Sequence, residues 1–370
     1  MTTTRAKSPT ATTATRREFI KGLAVVGGTL LLPTTAVACG VAATPAARRP
    51  REEFLPAYAK LEQAGELAAR VDRAREVLRA CRLCPRQCGV NRLKGERGYC
   101  RTPKGGATVY SAHPHLGEEV SLVGSGGSGT IFLSHCNLRC VFCQNWPIAH
   151  KGKGDLRRDE QLAGMMLRLQ EIGCHNINLV TPTHVMPHIL AATRIACLKG
   201  LRLPLVYNTS GYERVEMVKM LDGIVDIYLP DLKYMDGEQS AKYSSGASDY
   251  PERATSAIAE MNRQVGEHTV DERGIATRGL MIRHLVMPNR VAGTREFTRW
   301  VAETLSPTTY VNIMAQYHVD YRAADFEKIN RAITAAEFLE AMAWAEEAGL
   351  RNIDPRSLAN REFYSRHAEN

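Results

Sequence analysis

The chain has 370 residues, 44% apolar and 24% charged, the make-up of a folded globular protein with one large core or two small ones. Its formal charge of +9 sits on scattered arginines with no basic run interleaved with aromatics, which argues against a nucleic-acid-binding surface. An anionic cofactor or plain solubility accounts better for the excess.

In chain order, Thr15-Arg16-Arg17-Glu18-Phe19-Ile20-Lys21 precedes an apolar, glycine-rich stretch from Gly22 to Leu32 and then Ala36-Val37-Ala38-Cys39-Gly40. Paired arginines before an apolar run too short to span a membrane predict a twin-arginine export signal over residues 1–40, which is an address and no part of the fold. The expected partner is the twin-arginine export machinery, and the expected place is the periplasm or the membrane face, with a cytoplasmic fraction as the competing account. Attachment would run through lipid on Cys39 or an uncleaved apolar segment; cleavage after Ala38 fits as well. Residues 41–55, rich in Ala, Pro and Arg, read as a linker.

Residues 56–123 are expected to form an N-terminal helix and a four-cysteine module. Leu61, Ala64, Leu67, Ala68, Val71, Ala74, Val77 and Leu78 recur at helical spacing from about Pro56 to Arg79. Cys81, Cys84, Cys88 and Cys100 follow, with Pro85, Gly89, Gly95 and Gly98 to turn the loop. Four thiolates saturate either a second [4Fe–4S] cluster or zinc, and disulfides are the plain alternative. Ala107 to Val123 reads as an irregular connection with Val109-Tyr110 as a short strand and His113 to Glu119 as a polar loop. The glycines of Gly124 to Gly129 lack the Lys-Ser/Thr pair of a phosphate loop and precede their strand, so they are expected to let the N-terminal module approach a barrel mouth.

The most specific stretch is Gly129 to Trp146, G-T-I-F-L-S-H-C-N-L-R-C-V-F-C-Q-N-W. Cys136, Cys140 and Cys143 are separated by three residues and then two, directly after the apolar Ile131 to Leu133. Three thiolates bind a [4Fe–4S] cube through three irons and leave the fourth open, whereas a structural site closes with a fourth ligand. The other readings are packed thiols, or a zinc site completed by His135 or His150. Phe142, just before the last cysteine, can shield a cluster or face a purine.

This loop, with an aromatic before its third cysteine, resembles the signature of the radical S-adenosylmethionine (SAM) enzymes. More closely, the chain is similar to the branch homologous to the activating enzyme of pyruvate formate-lyase, in a group that carries C-x2-C-P-R-x-C-G-V-N-R before the core. The resemblance runs from about Cys81 to Leu350 and implies a [4Fe–4S] cluster and SAM as cofactors.

Apolar strand candidates at Asn176 to Val180, Leu203 to Tyr207, Ile224 to Leu229, Leu280 to Met287 and Tyr310 to Met314 alternate with amphipathic helices near Asp159 to Glu171, Pro187 to Leu198, Glu213 to Leu221, Glu252 to Val265, Thr294 to Leu305 and Ala335 to Glu347. With the cluster strand they make six strand–helix units in an α/β class with a parallel sheet. The resemblance implies that residues 124–350 curve into a partial (β/α)6 TIM-like barrel, with 351–370 as a fraying or docking tail.

Parallel α/β folds place chemistry at the C-terminal ends of their strands. There, Thr181 stands where the family resemblance implies a contact to the SAM amino group, although a Thr-Pro-Thr-His turn replaces the family's glycine-rich one. Asn208 and Ser210 are placed for ribose hydroxyls or the methionyl carboxylate, unless they only cap the next helix. Asp231 and Lys233 resemble the D-x-K of the activating enzymes, lysine balancing an anion and aspartate keeping it charged, with a surface ion pair as the plain alternative. Of Arg283 and His284 only one can face inward, and an inward arginine suits an anionic cofactor group. Asn312, Met314 and Gln316 share a face, Gln316 being a candidate substrate or adenine contact. The insert from Tyr234 to Gly279 is expected to wall the substrate opening, and Cys174 and Cys197 to be packed thiols.

The resemblance implies reductive cleavage of SAM to a 5′-deoxyadenosyl radical that abstracts hydrogen, glycyl-radical activation of a protein substrate being one option and a small molecule or other peptide another. It also implies a low-potential flavodoxin- or ferredoxin-like electron donor. The contrasting class is an exported iron–sulfur electron carrier or metal-binding protein without SAM chemistry.

Overall fold

A computed structural model describes residues 54–367. The export signal, Cys39 and nearly all of the linker lie outside the described residues. No described helix is long and apolar enough to cross a membrane.

Among the described residues nine strands form the sheet: β1 (Ala107–His115), β2 (Ser128–Leu133), β3 (Asp155–Arg157), β4 (Ile177–Val180), β5 (Leu205–Thr209), β6 (Ile227–Pro230), β7 (Thr269–Val270), β8 (Ala276–Leu285) and β9 (Tyr310–Met314). β2, β4, β5, β6, β8 and β9 are parallel neighbours in that order, so the six expected strand–helix units are present as an unclosed, partial barrel. β1 adds antiparallel to β2, and β3 to β1, on one flank. Among the described residues, a bridge from Val311 to Ile353 continues the sheet beyond β9.

Side-chain alternation sets the interior. Val206, Ile227, Leu229, Met281 and Tyr310 cluster with Leu122, from the short helix Val120–Val123, into an apolar plug. Two positions further along the same inward rows the residues turn polar: Asn208, Asp231, Arg283 and Asn312. Burying the apolar layer stabilises the floor at roughly 25 cal/mol per Å²; beside it Ser128, Asn176 and Asn178 are hydrogen-bonded together at the start of β2 and β4, while the polar groups that face the open space lie at the strands' C-terminal ends. The outward-facing residues pack against the helices in one larger core.

Several expectations need correction. The N-terminal helix is broken: Ala57–Gln63 and Leu67–Glu76 are separated at Gly65, whose φ of 75° ends the first helix, and a 3-10 turn Val77–Ala80 follows. Its start is pinned to the barrel's underside, where Ala57 N–H donates to Asp226 Oδ1 at 2.8 Å and the Tyr58 hydroxyl to the Leu203 carbonyl at 2.9 Å. Ala107 to His115 is no irregular connection but a nine-residue strand, concealed because only its first residues are buried and His113-Pro114-His115 breaks the alternation. The glycines before β2 serve the barrel's underside rather than its mouth: a Cβ on Gly126 would stand 2.0 Å from the Gly173 carbonyl oxygen, and Gly126 N–H donates to His175 Nε2. Of the two readings of the tail, docking is the one observed: residues 355–367 form a helix, Pro355–His367. Ser357 Oγ accepts from Ile313 N–H at 3.0 Å and lies 2.9 Å from the Ile313 carbonyl, fixing the helix to β9.

Candidate active site

The loop from Ser134 to Asn145 leaves the end of β2 and curls by way of left-handed backbone at His135 (φ 74°) and Arg139 (φ 57°). It is tied from several directions. Asn137 Nδ2 donates to the Tyr212 carbonyl at 2.8 Å, Val141 N–H to the Tyr243 carbonyl at 2.8 Å, and Ser245 Oγ to the Arg139 carbonyl at 3.0 Å. Two sulfurs receive donors: Leu138 N–H reaches Cys136 Sγ at 3.3 Å and Ser244 Oγ reaches Cys140 Sγ at 3.0 Å. The insert after β6 therefore braces the cysteine loop from outside; none of Tyr234 to Gly279 lines the opening, contrary to expectation.

Cys136, Cys140 and Cys143 line one cavity of about 640 Å³ over the polar layer. Thr181, Asn208, Ser210, Asp231, Lys233, Arg283 and Gln316 line it too, so all the candidates from separate strand ends are brought together. Thr181 has φ 62° and gives its N–H to the Asn208 carbonyl at 2.9 Å. A left-handed residue is where a glycine would be expected, and threonine holds it here. Ser210 Oγ is buried with no hydrogen-bond partner. The Lys233 ammonium pairs with Asp231 Oδ2 at 2.6 Å, half-buried rather than on the surface. The Tyr250 hydroxyl accepts from Lys233 N–H and lies 2.8 and 3.0 Å from the carbonyls of Ser210 and Asp231, locking the two strand ends together.

Arg283 faces inward and His284 outward, where its ring stacks on Phe297 at 4.1 Å and contacts the Leu232 carbonyl and Thr294. The Arg283 guanidinium, however, is already engaged: Nε donates to Glu119 Oε1 at 2.7 Å and Nη2 to Glu118 and Glu119. Asn312 Nδ2 adds a bond to Glu119 at 2.8 Å. Arg283 thus organises the cavity wall, and its charge is balanced inside the protein. Gln316 is exposed at the rim, its carbonyl accepting from Gln144 Nε2 at 2.9 Å. Sequence alone missed Glu118, Arg356 and Asn360 in this wall, and Glu119 as the buried partner of Arg283 and Asn312. The two glutamates read as a solvated loop, and Arg356 and Asn360 sit i, i+4 on a helix with no apolar periodicity to announce it.

Electrostatics match a site awaiting a metal. Burial pushes the Cys140 thiol up to about 11, against the pull of Lys233 and the Ser244 hydrogen bond, and raises Cys136 and Cys143. Such thiols surrender their protons when a metal takes the sulfur. Burial disfavours the Lys233 ammonium, but Asp231 outweighs it and keeps lysine charged, and negative charge on the sulfurs of Cys140 and Cys143 acts in the same direction. His135 and His150 do not line the cavity, and His150 Nε2 donates to the Cys140 carbonyl at 3.0 Å, so neither completes a zinc site. Among the described residues no three Cys, His, Asp or Glu are gathered to hold a single metal ion. Three cysteines around a roomy cavity, with donors on two sulfurs and an unpartnered hydroxyl opposite, fit a multi-iron cluster with an open position and a polar ligand beside it.

Comparison with known proteins agrees. The family described as the radical SAM superfamily matches residues 130–272. The uncharacterised protein MJ0674 of Methanocaldococcus jannaschii is 31% identical over 294 residues, covering 77% of this chain and 79% of that protein. Among solved structures the chain is similar to anSMEcpe with bound AdoMet (13% identity, TM-score 0.40, 58% of this chain and 57% of that one) and Streptococcus suis SuiB bound to S-adenosylmethionine (13%, 0.40, 58% and 45%). The chain spans about half the length of these two structures. With the sequence relative and the cysteine loop in agreement, the chain belongs to the radical SAM superfamily, as an enzyme whose cofactors are a [4Fe–4S] cluster and SAM.

Proposed function

We propose that SAM binds in the 640 Å³ cavity against a cluster on Cys136, Cys140 and Cys143, and that the enzyme takes a hydrogen atom from its substrate. The observation that carries this reading is the shared cavity: three thiols after β2 and seven polar candidates from five further strand ends and their loops line one space. Bound there, the cofactors supply one-electron cleavage of the sulfonium and a carbon radical. The chain's residues bind and shield. Lys233, kept charged by Asp231, meets the SAM carboxylate; Ser210 and Asn208 offer a hydroxyl and an amide to carboxylate or ribose; Thr181 accepts from the amino group. Gln316 at the rim faces adenine or substrate, Arg283 holds Glu118 and Glu119 in the wall, and the apolar plug excludes water from below.

For the substrate, activation of a glycyl-radical protein is the finer reading. It is supported by the Asp231-x-Lys233 pair and by the cysteine motifs, which resemble those of activating enzymes. A small polar molecule or other peptide is the second reading, favoured by His115, Glu118, Arg356 and Asn360 along the cavity wall. The reductant would be a flavodoxin- or ferredoxin-like protein.

The test is anaerobic incubation with SAM, reductant and fractions of a deuterated cell extract, followed by mass spectrometry of 5′-deoxyadenosine. Deuterium acquired from the macromolecular fraction supports protein activation, and from the small-molecule fraction the second reading. No 5′-deoxyadenosine from protein with an intact, reduced cluster overturns both.

A further inference from the structure

The cysteines left unused by the catalytic site enclose a space of their own. Cys81, Cys84, Cys88 and Cys100 line one small cavity with Arg92 and His184. The loop is closed by its own backbone: Cys81 N–H donates to the Val90 carbonyl at 2.9 Å and Gly89 N–H to the Cys81 carbonyl at 3.0 Å. Two of the sulfurs already receive donors, Tyr99 N–H at 3.2 Å on Cys88 and Thr102 Oγ1 at 3.1 Å on Cys100. Gly98 is needed there, because a Cβ would stand 2.9 Å from Cys88 Sγ. Hydrogen bonds to sulfur are among the features that tune iron–sulfur clusters.

Three occupants are open to four such thiols, and the geometry separates them. All four are free, so they are not two disulfides. Nor are they gathered for a single ion; thiolates on one zinc, with bonds of about 2.3 Å, would stand roughly 3.8 Å apart. A four-iron cube carries its thiolates on separate irons and spreads them further. Two more atoms in the wall need a partner. His184 is 1% exposed and its Nε2 donates to the Ser134 carbonyl at 2.7 Å, which leaves Nδ1 as a bare lone pair with no partner. Arg92 is 4% exposed, its Nη1 bonds the His184 carbonyl, and its Nε–H has no acceptor. A negatively charged, sulfide-bearing cluster would accept from the Arg92 Nε–H and balance its charge; with four thiolates every iron is saturated, so His184 lines the wall and is not a further ligand.

The site also touches the first one. Arg86, two residues after Cys84, donates from Nε to the carbonyl of Asn137, the neighbour of Cys136, at 3.1 Å. Its guanidinium lies over the ring of Tyr99, next to Cys100, at 4.2 Å. His184 reaches Ser134, two residues before Cys136. On the outside, residues 81–104 expose Arg82, Lys94, Arg97, Arg101 and Lys104 against Glu96, and Glu216 beside Arg82 is paired with Arg214. We propose that the four-cysteine cavity holds a second [4Fe–4S] cluster that relays electrons to the first, taken from an acidic one-electron carrier docking on this basic rim. One electron leaves the carrier, resides on the second cluster and passes to the first; no bond breaks and no proton moves in the relay. The relay rests on the function proposed above, but the metal content does not.

Anaerobically reconstituted protein is assayed for iron, sulfide and zinc and by spin resonance after dithionite reduction. About eight irons per chain, four for each cube, and two overlapping signals are expected. About four irons with one zinc, or about four irons with no second metal, overturn the proposal. The Cys88→Ser, Cys100→Ser protein should keep about four irons and the SAM-responsive signal under dithionite. With reduced flavodoxin as donor, its first cluster should be reduced at least ~10-fold more slowly than in the wild type, the loss expected when an electron must bypass its relay; an equal rate refutes the relay. Should that variant not fold, Arg97→Glu, Arg101→Glu leaves the thiols intact and should slow flavodoxin reduction alone, with an unchanged rate counting against the docking rim. Eight irons without 5′-deoxyadenosine would refute SAM cleavage and leave the second cluster standing.

Discussion

Replacing Arg283 with methionine separates a wall-building role from cofactor binding. The guanidinium makes three charge-assisted bonds to Glu118 and Glu119, and Glu119 is fully buried. Burial alone would raise the Glu119 carboxyl, yet Arg283, Asn312 and Arg356 bring it from 4.5 down to about 2. That difference corresponds to at most about 3 kcal/mol of stability. Because the folded pKa lies below the unfolded one, the contribution is present above the unfolded carboxylate's pKa and is lost as pH falls toward about 2. Removing one partner of a buried ion pair typically costs about 3–5 kcal/mol, so Arg283→Met should lose roughly that much in anaerobic urea unfolding of the metal-free protein at pH 7. It should also flatten the pH dependence: Asn312 and Arg356 still oppose burial, but without Arg283 the Glu119 carboxyl rises from about 2 toward its unfolded value, so less stability is lost on acidification below about 4.5. A loss under about 1 kcal/mol, with no change in slope, would show that Arg283 is not the keystone of the wall.

Lys233→Ala should weaken SAM binding by about 1–3 kcal/mol, the range for a lost hydrogen bond to a charged group, with iron content unchanged; calorimetry showing wild-type affinity would assign Lys233 elsewhere. Cys140→Ser should abolish the SAM-dependent change in the spin-resonance spectrum of the reduced protein, and an unaltered spectrum would remove that cysteine from the cluster. Ser357→Ala breaks the contacts of the C-terminal helix to Ile313 and should cost about 1–2 kcal/mol in thermal or urea unfolding; no shift would mean the helix docks by other contacts. Finally, we propose export through Arg16-Arg17, so Arg16→Lys, Arg17→Lys should hold in the cytoplasm a protein that otherwise fractionates outside it; identical distributions would end that proposal.

What could be read in the sequence was local. Three cysteines in one loop, five apolar runs and the Asp231-x-Lys233 pair each declare themselves within a few residues, and β9 and the helix Ala335–Glu347 fall where periodicity puts them. Strand ends were less legible. β5 runs on through Asn208 and Thr209 because those residues pair with Leu229 and Pro230 of β6, although their polarity suggests that the strand has stopped. The role of Arg283 was hidden altogether, since Glu119 lies 164 positions away and only the fold brings the two together. The same holds for Ser244, a turn residue in an insert, which meets Cys140 across 104 positions.

The long reach of Ser244, Tyr243 and Ser245 onto the cysteine loop bears on how iron arrives and departs. A loop held by hydroxyl and carbonyl groups from a distant segment has ties that are made by protein atoms alone. Such a receptacle suits transfer of a preassembled cube from a delivery protein to a finished fold, and poorly suits nucleation of folding by metal as in a zinc finger. If oxygen strips the cube, the vacated loop keeps its scaffold, so the damage is to the cargo alone and a fresh cube can be seated without refolding the chain.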